Sequence, residues 1–338
     1  MITFDEILKK QKEDMSKYKV SICVTSYNQK EYITKTINSL LVQKTTFPFW
    51  IVIGDDCSSD GSVNILKEYK KMYPDKIKLI LHQKNQGLKI NCRYIFECCN
   101  TPYIAFCDGD DYWIDENVLQ RKFDFLETND KYIGCLLYIG YQSGCYSEKN
   151  GQVIETVDLE ERNCFFDFDR EDALQNAYPG QVGGFFFRNI FNYMSRQDFE
   201  FYEDIGAHDS GKLPILMAML APIYRQDTKV TFVYRFRSGS FSRKEEARNI
   251  CKQIYISHLQ YQRMLAGLGI QEKMKIDGQL MEIAVNSFIT ALRTTCYAAG
   301  KDNWEQFRFI YCEGYFTKKE IRQAIYSHII TKCREKIR

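Results

Sequence analysis

Short apolar runs alternate with amphipathic segments over the first third of the chain. The run Val20–Thr25 is mostly apolar, as in a strand that is buried on both faces. The next segment, Glu31–Val42, places Ile33, Ile37 and Leu40 on one stripe with helical spacing. The pattern therefore predicts a buried strand followed by a helix that packs on it.

This alternation continues to residue 107. The predicted elements are strands at Trp50–Ile53, Ile77–Leu81 and Tyr103–Cys107, and helices at Gly61–Met72 and Leu88–Cys98. Repeated alternation predicts an α/β fold with a mostly parallel sheet, flanking helices and right-handed crossovers. Ligands bind beyond the carboxyl ends of the strands in such sheets, so functional residues are expected directly after the strands.

The pattern changes in the second half of the chain. Strand-like residues at Tyr132–Gly144 precede a polar, acidic stretch, Ser147–Asp172, which we expect to be an excursion or flexible loop. Gly183–Phe187 predicts a further strand, and later residues follow helical spacing with little Gly or Pro. We therefore predict two domains, residues 1–240 and a helical C-terminal region at residues 241–338.

Composition excludes several classes of protein. The 338 residues include 46 basic and 44 acidic ones, and a net charge of +2 gives no field that would gather nucleic acid. The thirteen cysteines include no CxxC pair and lie among apolar residues, which predicts reduced thiols in a cytoplasmic protein. With neither a secretory h-region nor about 18 consecutive apolar residues, the chain is not expected to span a membrane.

Three carboxylates crowd into the turn Asp108–Asp111, directly behind an apolar strand. Like charges this close are unfavourable unless a cation neutralises them. Mg²⁺ and Mn²⁺ prefer oxygen ligands and are often held by one or two carboxylates plus substrate phosphates. The turn therefore predicts a divalent cation site, with an Asp-rich capping turn as the structural alternative.

Two further polar segments follow predicted strands. Thr25–Asn28 comes after the first strand, and Asp55–Gly61 comes after the second. A carboxylate at Asp56 is suited to accept a hydrogen bond from a nucleoside ring N–H or a ribose hydroxyl. Neither a GxGxxG nor a P-loop follows the first strand, which argues against a dehydrogenase or kinase.

Taken together, Val20–Asn28, Ile53–Gly61, Asn85–Gly87 and Asp108–Trp113 resemble the family 2 glycosyltransferases in order and in spacing. The resemblance spans about a hundred residues and becomes looser past residue 130. It implies a GT-A fold, an inverting mechanism and a nucleoside diphosphate sugar donor, most often a UDP-sugar.

The resemblance also implies roles for individual residues. By position, Thr25 and Tyr27 would hold the nucleoside, with Tyr27 against the base, and Asp56 would bind the base edge. Asp108 would lie near the ribose, and Asp110, together with Asp108, would coordinate the Mn²⁺ or Mg²⁺ that bridges the diphosphate.

Four basic residues are candidates for contact with the donor. Lys89 or Arg93 would add positive charge near the nucleotide, although either side chain is equally consistent with a solvated helix face. Val233–Ser242 resembles a terminal element of the family and carries Arg235 and Arg237. Arg237 stands where histidine is common in the family. The resemblance therefore implies that the Arg237 guanidinium acts on the donor phosphates directly.

Inversion requires a general base to take the proton of the attacking acceptor hydroxyl. Ala207–Asp209 resembles the segment that carries this base in the family, so Asp209 is the first candidate and Asp204 and Glu203 are the alternatives. Tyr178–Arg188 resembles the acceptor-side strand. An apparent two-residue lengthening after Asp209 leaves this register open.

A basic amphipathic helix is predicted at the C-terminus. Isoleucine or cysteine recurs every fourth residue from Ile321 to Ile337, among several lysines and arginines. This helix would either pack on the residues around Val285–Leu292 or lie on an anionic membrane face, where a lipid-linked acceptor is found. A homodimer is also compatible with the sequence.

The sequence thus predicts a glycosyltransferase that acts on a glycan, glycoconjugate or lipid-linked acceptor in bacterial surface polysaccharide assembly. One alternative is a sugar nucleotidyltransferase, but that class carries a basic phosphate loop where Thr25–Asn28 stands. The other is a non-catalytic sugar- or protein-binding module on the same fold, which the unusual Arg237 leaves open.

Overall fold

The computed structural model forms two compact units. One comprises Met1–Ser238 with Met264–Ile270, and the other comprises Gly239–Arg263 with Gln271–Arg338. The structure describes residues 2–137, 140–145, 154–158, 164–174, 182–204, 209–227, 231–235, 261, 263–270, 319, 322–323 and 325–326. The domain boundary at residue 240 stays a prediction.

Twelve strands lie in the described part of the first unit. They are β1 (Val20–Ser26), β2 (Phe49–Asp55), β3 (Ile77–Leu81), β4 (Tyr103–Phe106), β5 (Tyr112–Trp113), β6 (Gly134–Leu137), β7 (Gly140–Cys145), β8 (Ile154–Asp158), β9 (Cys164–Phe168), β10 (Phe185–Arg188), β11 (Ile223–Asp227) and β12 (Phe232–Arg235). Eight of them form one sheet in the order β3-β2-β1-β4-β10-β6-β11-β9, and β5-β12-β7-β8 form a second.

Eight α-helices accompany these strands in the described residues. They are α1 (Phe4–Lys12), α2 (Ile33–Leu41), α3 (Ser62–Met72), α4 (Leu88–Cys98), α5 (Val118–Thr128), α6 (Arg170–Leu174), α7 (Arg196–Asp204) and α8 (Asp209–Leu220). The helix α2 buries Ile33, Ile37 and Leu40, which is the stripe that the sequence predicts.

The strands β1 to β4 pair in parallel and carry the site described below. Val20 pairs with Phe49 of β2 on one side and with Tyr103 of β4 on the other. Most side chains of β1 and β2 are fully buried, because helices cover both faces of a parallel sheet. The predicted strands and helices up to Cys107 are confirmed, with ends that differ by at most two residues.

The prediction of an excursion or flexible loop at Ser147–Asp172 was wrong for Ile154–Asp158 and Cys164–Phe168, which are strands. Within this stretch β8 pairs antiparallel with β7, and β9 pairs antiparallel with β11. The aromatic run Cys164–Phe168 has high strand propensity, which the polar and acidic residues around it concealed. The predicted strand at Gly183–Phe187 begins two residues later, after a 3₁₀ turn at Val182–Gly184.

A buried arginine fixes the amino-terminal edge of the sheet. Arg188, at the end of β10, donates to Gln11 Oε1 of α1 at 2.7 Å and to the carbonyl oxygens of Leu126 at 2.6 Å and Tyr132 at 3.0 Å. Since the guanidinium supplies five fixed donors, one side chain joins three elements here. Arg188 therefore ties α1 and α5 to the edge of the sheet that lies opposite the site.

Among the described residues, no helix has both the length and the apolarity needed to cross a bilayer. The predicted amphipathic helix at Ile321–Ile337 lies mostly outside the described residues, and so does Val285–Leu292. Its membrane contact and the homodimer stay predictions.

Candidate active site

Three polar segments meet at the carboxyl edge of the parallel strands. The main-chain N–H of Gly109 donates to Thr25 O at 2.9 Å, and that of Asp56 donates to Ser26 O at 2.9 Å. The Ser26 hydroxyl also donates to the Asp55 carboxylate at 2.9 Å. The predicted convergence of residues 25–28, 55–61 and 108–111 at one edge is thereby confirmed.

The centre of this edge is the topological switch point of the sheet. The chain passes from β1 to β2 and β3 on one side, and returns to β4 on the other. Here the Thr25 hydroxyl donates to Asp108 Oδ1 at 2.7 Å. Crevices at switch points bind ligands in open α/β sheets, so Thr25 and Asp108 lie where a nucleotide is expected.

The consecutive aspartates Asp55 and Asp56 have different partners. Asp55 is fully buried and accepts from Ser26 Oγ, Ser58 N and Ser58 Oγ at 2.7 to 2.9 Å, so it holds the loop after β2. Asp56 is 4% exposed, and its two oxygens accept from Gln86 N at 2.7 Å and from Gly87 N at 2.8 Å.

The bonds of Asp56 give it a role that the sequence did not reveal. Gly87 has a φ of +86°, a conformation that glycine adopts at little cost, and this turns two successive N–H groups toward one carboxylate. Asp56 therefore fixes the loop Asn85–Gly87. Each carboxylate oxygen has a second acceptor position, so a contact of Asp56 with the base edge stays compatible with this geometry.

The three carboxylates of the acidic turn divide by burial. Asp108 and Asp110 are partly exposed, whereas Asp111 is 1% exposed. Burial is the main cause that raises the pKa of Asp111 well above its usual value, followed by the charges of Asp110 and Asp108, and Arg235 opposes them. Asp111 is thus a structural carboxyl, and the two partly exposed carboxylates are the candidates for binding a cation.

A divalent cation fits this turn only with help from a ligand. Among the described residues, no three His, Cys, Asp or Glu side chains form a group that could hold a metal. The Asp111 Oδ2 atom is buried without a hydrogen-bond partner among the same residues. Two hard oxygen donors completed by phosphate oxygens match the way in which Mg²⁺ and Mn²⁺ are commonly bound.

The position of Gly109 tolerates no side chain. A Cβ atom there would lie 2.1 Å from Gln29 Oε1 and 2.6 Å from Thr25 O. The acidic turn therefore packs directly on the end of β1 and the loop after it.

Thr36 of α2 is a supporting residue that the sequence did not identify. Its hydroxyl oxygen lies 2.6 Å from the carbonyl oxygen of Asp111 and 2.9 Å from that of Gly109. No sequence signal distinguishes it from a polar residue on a helix face, because the contact depends on how α2 packs beside β5.

The remaining donor-side candidates differ in their surroundings. Tyr27 is 44% exposed on the loop after β1, and Lys89 is exposed in the first turn of α4. Arg93 Nε lies 3.3 Å from Glu97 Oε1, which agrees with the solvated-helix alternative for this side chain. Arg235 is buried beside the acidic turn, and Arg237 lies outside the described residues.

The acceptor-side candidates are placed by their main chain alone. Glu203 and Asp204 end α7, and Asp209 begins α8. The side chains of these three residues lie outside the described part of the structure, so the choice among them stays a prediction.

A buried lysine lies behind the acidic turn. Lys122 of α5 donates to Gly184 O at 2.8 Å and lies 5.0 Å from the centre of the Trp113 ring. Burial lowers the pKa of this ammonium from 10.5 to about 8. Lys122 thus joins α5 to the turn that precedes β10 and becomes neutral above pH 8.

Lys122→Met is expected to change how stability depends on pH. Between pH 8 and 10.5 the unfolded chain holds a proton that folded Lys122 has released, so the wild type gains stability as the pH rises through this window. The gain is at most about 3 kcal/mol, and the variant lacks it. Urea unfolding at about pH 7.5 and about pH 10 measures the difference.

Lys71→Met, on the exposed face of α3, is the control and should follow the wild type at both pH values. Parallel behaviour of the wild type and Lys122→Met would contradict the burial argument.

Known proteins match this chain in three ways. The model of the family described as Glycosyl transferase family 2 matches residues 21–193, just over half of the chain. Mb1547, an uncharacterised protein of Mycobacterium bovis, is 35% identical over 116 residues, which cover 34% of each chain. TuaG of Bacillus subtilis (strain 168), provisionally named a teichuronic acid biosynthesis glycosyltransferase, is 34% identical over 108 residues, which cover 32% of this chain and 41% of TuaG.

The curated relatives are thus matched over about a third of their length. Among solved structures, GalNAc-T7 with UDP, GalNAc and Mn²⁺ has a TM-score of 0.50 and 13% identity, over 89% of this chain and 57% of that one. A likeness at this level concerns the fold alone, and it agrees with the predicted GT-A architecture.

Proposed function

We propose, from the premise that this chain belongs to glycosyl transferase family 2, that it transfers a sugar from a nucleotide-sugar donor to a hydroxyl group of an acceptor. The observation that carries the proposal is the 2.7 Å hydrogen bond between Thr25 and Asp108 at the switch point of the sheet. It joins two predicted donor-binding residues from separate strands at the edge where such folds bind nucleotides.

The donor-side residues suit a nucleoside diphosphate sugar, with a UDP-sugar as the first candidate. The exposed ring of Tyr27 offers a face on which a base can stack. Thr25 and Asp108 present a hydroxyl and a carboxylate for the ribose, and Asp56 lies one strand away for the base edge. Lys89 adds positive charge at the exposed start of α4.

Asp110, with Asp108, would hold a Mn²⁺ or Mg²⁺ ion together with the donor phosphates. A bound cation of this kind stabilises the negative charge that develops on the departing diphosphate. The partly exposed carboxylates of the turn support this assignment, because the buried Asp111 is already engaged by strand β12.

The acceptor hydroxyl attacks the anomeric carbon from the face opposite the diphosphate, with inversion. It loses its proton to a general base as the new bond forms. We assign this role to Asp209 at the start of α8, with Asp204 and Glu203 at the end of α7 as the alternatives.

We further propose that the acceptor is a glycan, glycoconjugate or lipid-linked intermediate of a bacterial surface polysaccharide. The relative TuaG, which carries a teichuronic acid biosynthesis name, supports this pathway. A cytoplasmic location, with a C-terminal helix at the membrane face, would place the chain where nucleotide-sugars and lipid-linked acceptors meet.

A panel of nucleotide-sugars with Mn²⁺ tests the proposal. One donor is expected to raise the unfolding temperature, since a ligand at 100 times its Kd stabilises the native state by about 2.7 kcal/mol. That donor should then release its nucleoside diphosphate in the presence of acceptor or water. Stabilisation without any turnover would favour the binding-module alternative, and release of pyrophosphate from a sugar phosphate and a nucleoside triphosphate would favour a nucleotidyltransferase.

A further inference from the structure

Arg235 of strand β12 contacts the acidic turn with both its main chain and its side chain. Its main-chain N–H donates to Asp111 Oδ1 at 2.9 Å, and its Nη1 donates to the carbonyl oxygen of Asp110 at 2.8 Å. One residue therefore binds the main chain at the predicted metal ligand and the side chain of the next residue. The two bonds restrain both the position and the rotation of the turn.

Two aromatic rings hold the Arg235 guanidinium in place. Its central carbon lies 5.1 Å from the ring centre of Tyr32 and 4.7 Å from that of Tyr112. Lys35 Nζ lies 3.9 Å from the centre of the Tyr112 ring as well. Arginine stacks on aromatic faces through its planar cation, which orients the group as well as attracting it.

The surroundings of Arg235 leave little of it for a ligand. The residue is 7% exposed, and its Nε is buried without a hydrogen-bond partner among the described residues. A side chain that binds a diphosphate in solution needs its donors directed into an open crevice. Here the Nη1 donor points into the protein, at Asp110 O.

A second element holds the same turn from another direction. Thr36 of α2 contacts the carbonyl oxygens of Gly109 and Asp111, on either side of the carbonyl that Arg235 binds. The Thr36 hydroxyl, which has one proton to donate, lies within hydrogen-bond distance of the first and third of three successive carbonyls, and Arg235 binds the second. The main chain around Asp110 is therefore restrained from two directions.

We propose that Arg235 is a positioning residue that fixes Asp110 for cation binding, and that it is not a ligand of the donor diphosphate. The inference rests on the proposed function, because it takes Asp110 as the ligand of the cation. Outer partners of metal ligands orient them, and their loss typically lowers metal affinity by about 10- to 100-fold. This positioning role would replace the donor-binding role that the sequence predicts for Arg235.

Arg235→Lys and Thr36→Val test this role. Lysine keeps the positive charge but loses the planar stack between the rings, and valine removes the hydroxyl at nearly constant shape. Binding of Mn²⁺ in the presence of saturating UDP, followed by the electron paramagnetic resonance of the protein-bound ion, should weaken by about 10-fold or more in both variants. Binding of UDP in the presence of EDTA should stay within about twofold of the wild type, since no contact with the nucleotide is lost.

Arg225→Lys is the matched control. Arg225 lies on β11, with its guanidinium 5.1 Å from the Phe166 ring and away from the acidic turn, so Mn²⁺ binding should not change. Unchanged Mn²⁺ affinity in folded Arg235→Lys would overturn the proposal. It would also be overturned if metal-free UDP binding fell as much as Mn²⁺ binding, which would make Arg235 a donor ligand.

Asp110→Asn separates this failure from that of the proposed function. If Asp110→Asn loses Mn²⁺ while Arg235→Lys keeps it, only the positioning role is wrong. If the wild type itself binds no Mn²⁺, the proposed cation site is wrong and the positioning role falls with it. A circular dichroism spectrum and an unfolding temperature for each variant identify any that does not fold, and Thr36→Val then decides the outcome.

Discussion

Asp110→Asn is expected to lower kcat for sugar transfer by about 10³-fold. This is the typical cost of losing one preorganised charge contact with a leaving group. The amide keeps the shape and a single acceptor oxygen but removes the negative charge that a Mn²⁺ or Mg²⁺ ion requires. Initial rates with the donor identified by thermal stabilisation, at a series of Mn²⁺ concentrations, measure the effect.

The variant should fold as the wild type does, because the main-chain contacts of the turn with Thr25, Thr36 and Arg235 do not involve the Asp110 side chain. Asp124→Asn, on the exposed face of α5, is the matched control and should keep full activity. A rate for Asp110→Asn within tenfold of the wild type at all Mn²⁺ concentrations would show that the charge of Asp110 is not needed for transfer.

Asp209→Asn is expected to abolish transfer while leaving donor binding intact. Loss of a general base typically costs about 10²- to 10⁴-fold in rate, because the acceptor hydroxyl then attacks without proton removal. The donor-side residues lie at or just after the ends of β1, β2 and β4 and at the start of α4, whereas Asp209 begins α8, so the affinity for the nucleotide-sugar should change little. Single-turnover transfer and equilibrium binding of the donor give the two quantities separately.

The alternatives are tested in the same series. Asp204→Asn and Glu203→Gln should each retain most of the activity if Asp209 is the base. Glu200→Gln is the control, because Glu200 lies on the same helix as these two residues and pairs with Arg196 on its exposed side. Turnover that persists in Asp209→Asn but fails in one of the other two would assign the base to that residue.

The parallel half of the fold could be predicted because its physical signals are local. Runs such as Val20–Thr25 are apolar on both faces, and only a strand covered on both sides accounts for them. The Asp108–Asp111 turn stood out because charges follow a buried strand directly. Since parallel strands end at one edge, the sequence placed Thr25 and Asp108 at the same rim, and the strand order of the structure makes them neighbours.

What the sequence did not reveal depends on contacts between distant segments. Asp108, Asp110 and Asp111 are alike in sequence, and only the packing of β12 shows that Asp111 is buried and bound by Arg235 N. The bonds from Asp56 to the loop Asn85–Gly87 likewise require the fold.

The antiparallel part was harder to predict for a related reason. Strands β8 and β9 are short and lie among charged residues; β8 pairs with the preceding strand β7, whereas β9 pairs with β11, which is far along the chain. Local patterning therefore predicted a loop where the sheet supplies the missing hydrogen bonds.

Main-chain hydrogen bonds join the three polar segments at the edge of the sheet, from Gly109 N–H to Thr25 O and from Asp56 N–H to Ser26 O. Every amino acid except proline can make these main-chain bonds, so a combinatorial library that randomises Tyr27 and Lys89 would alter the lining of the proposed nucleotide site without breaking them. Gly109 is the exception, since any replacement collides with Thr25 O. Laboratory evolution of donor choice can therefore vary Tyr27 and Lys89, but it must keep Gly109.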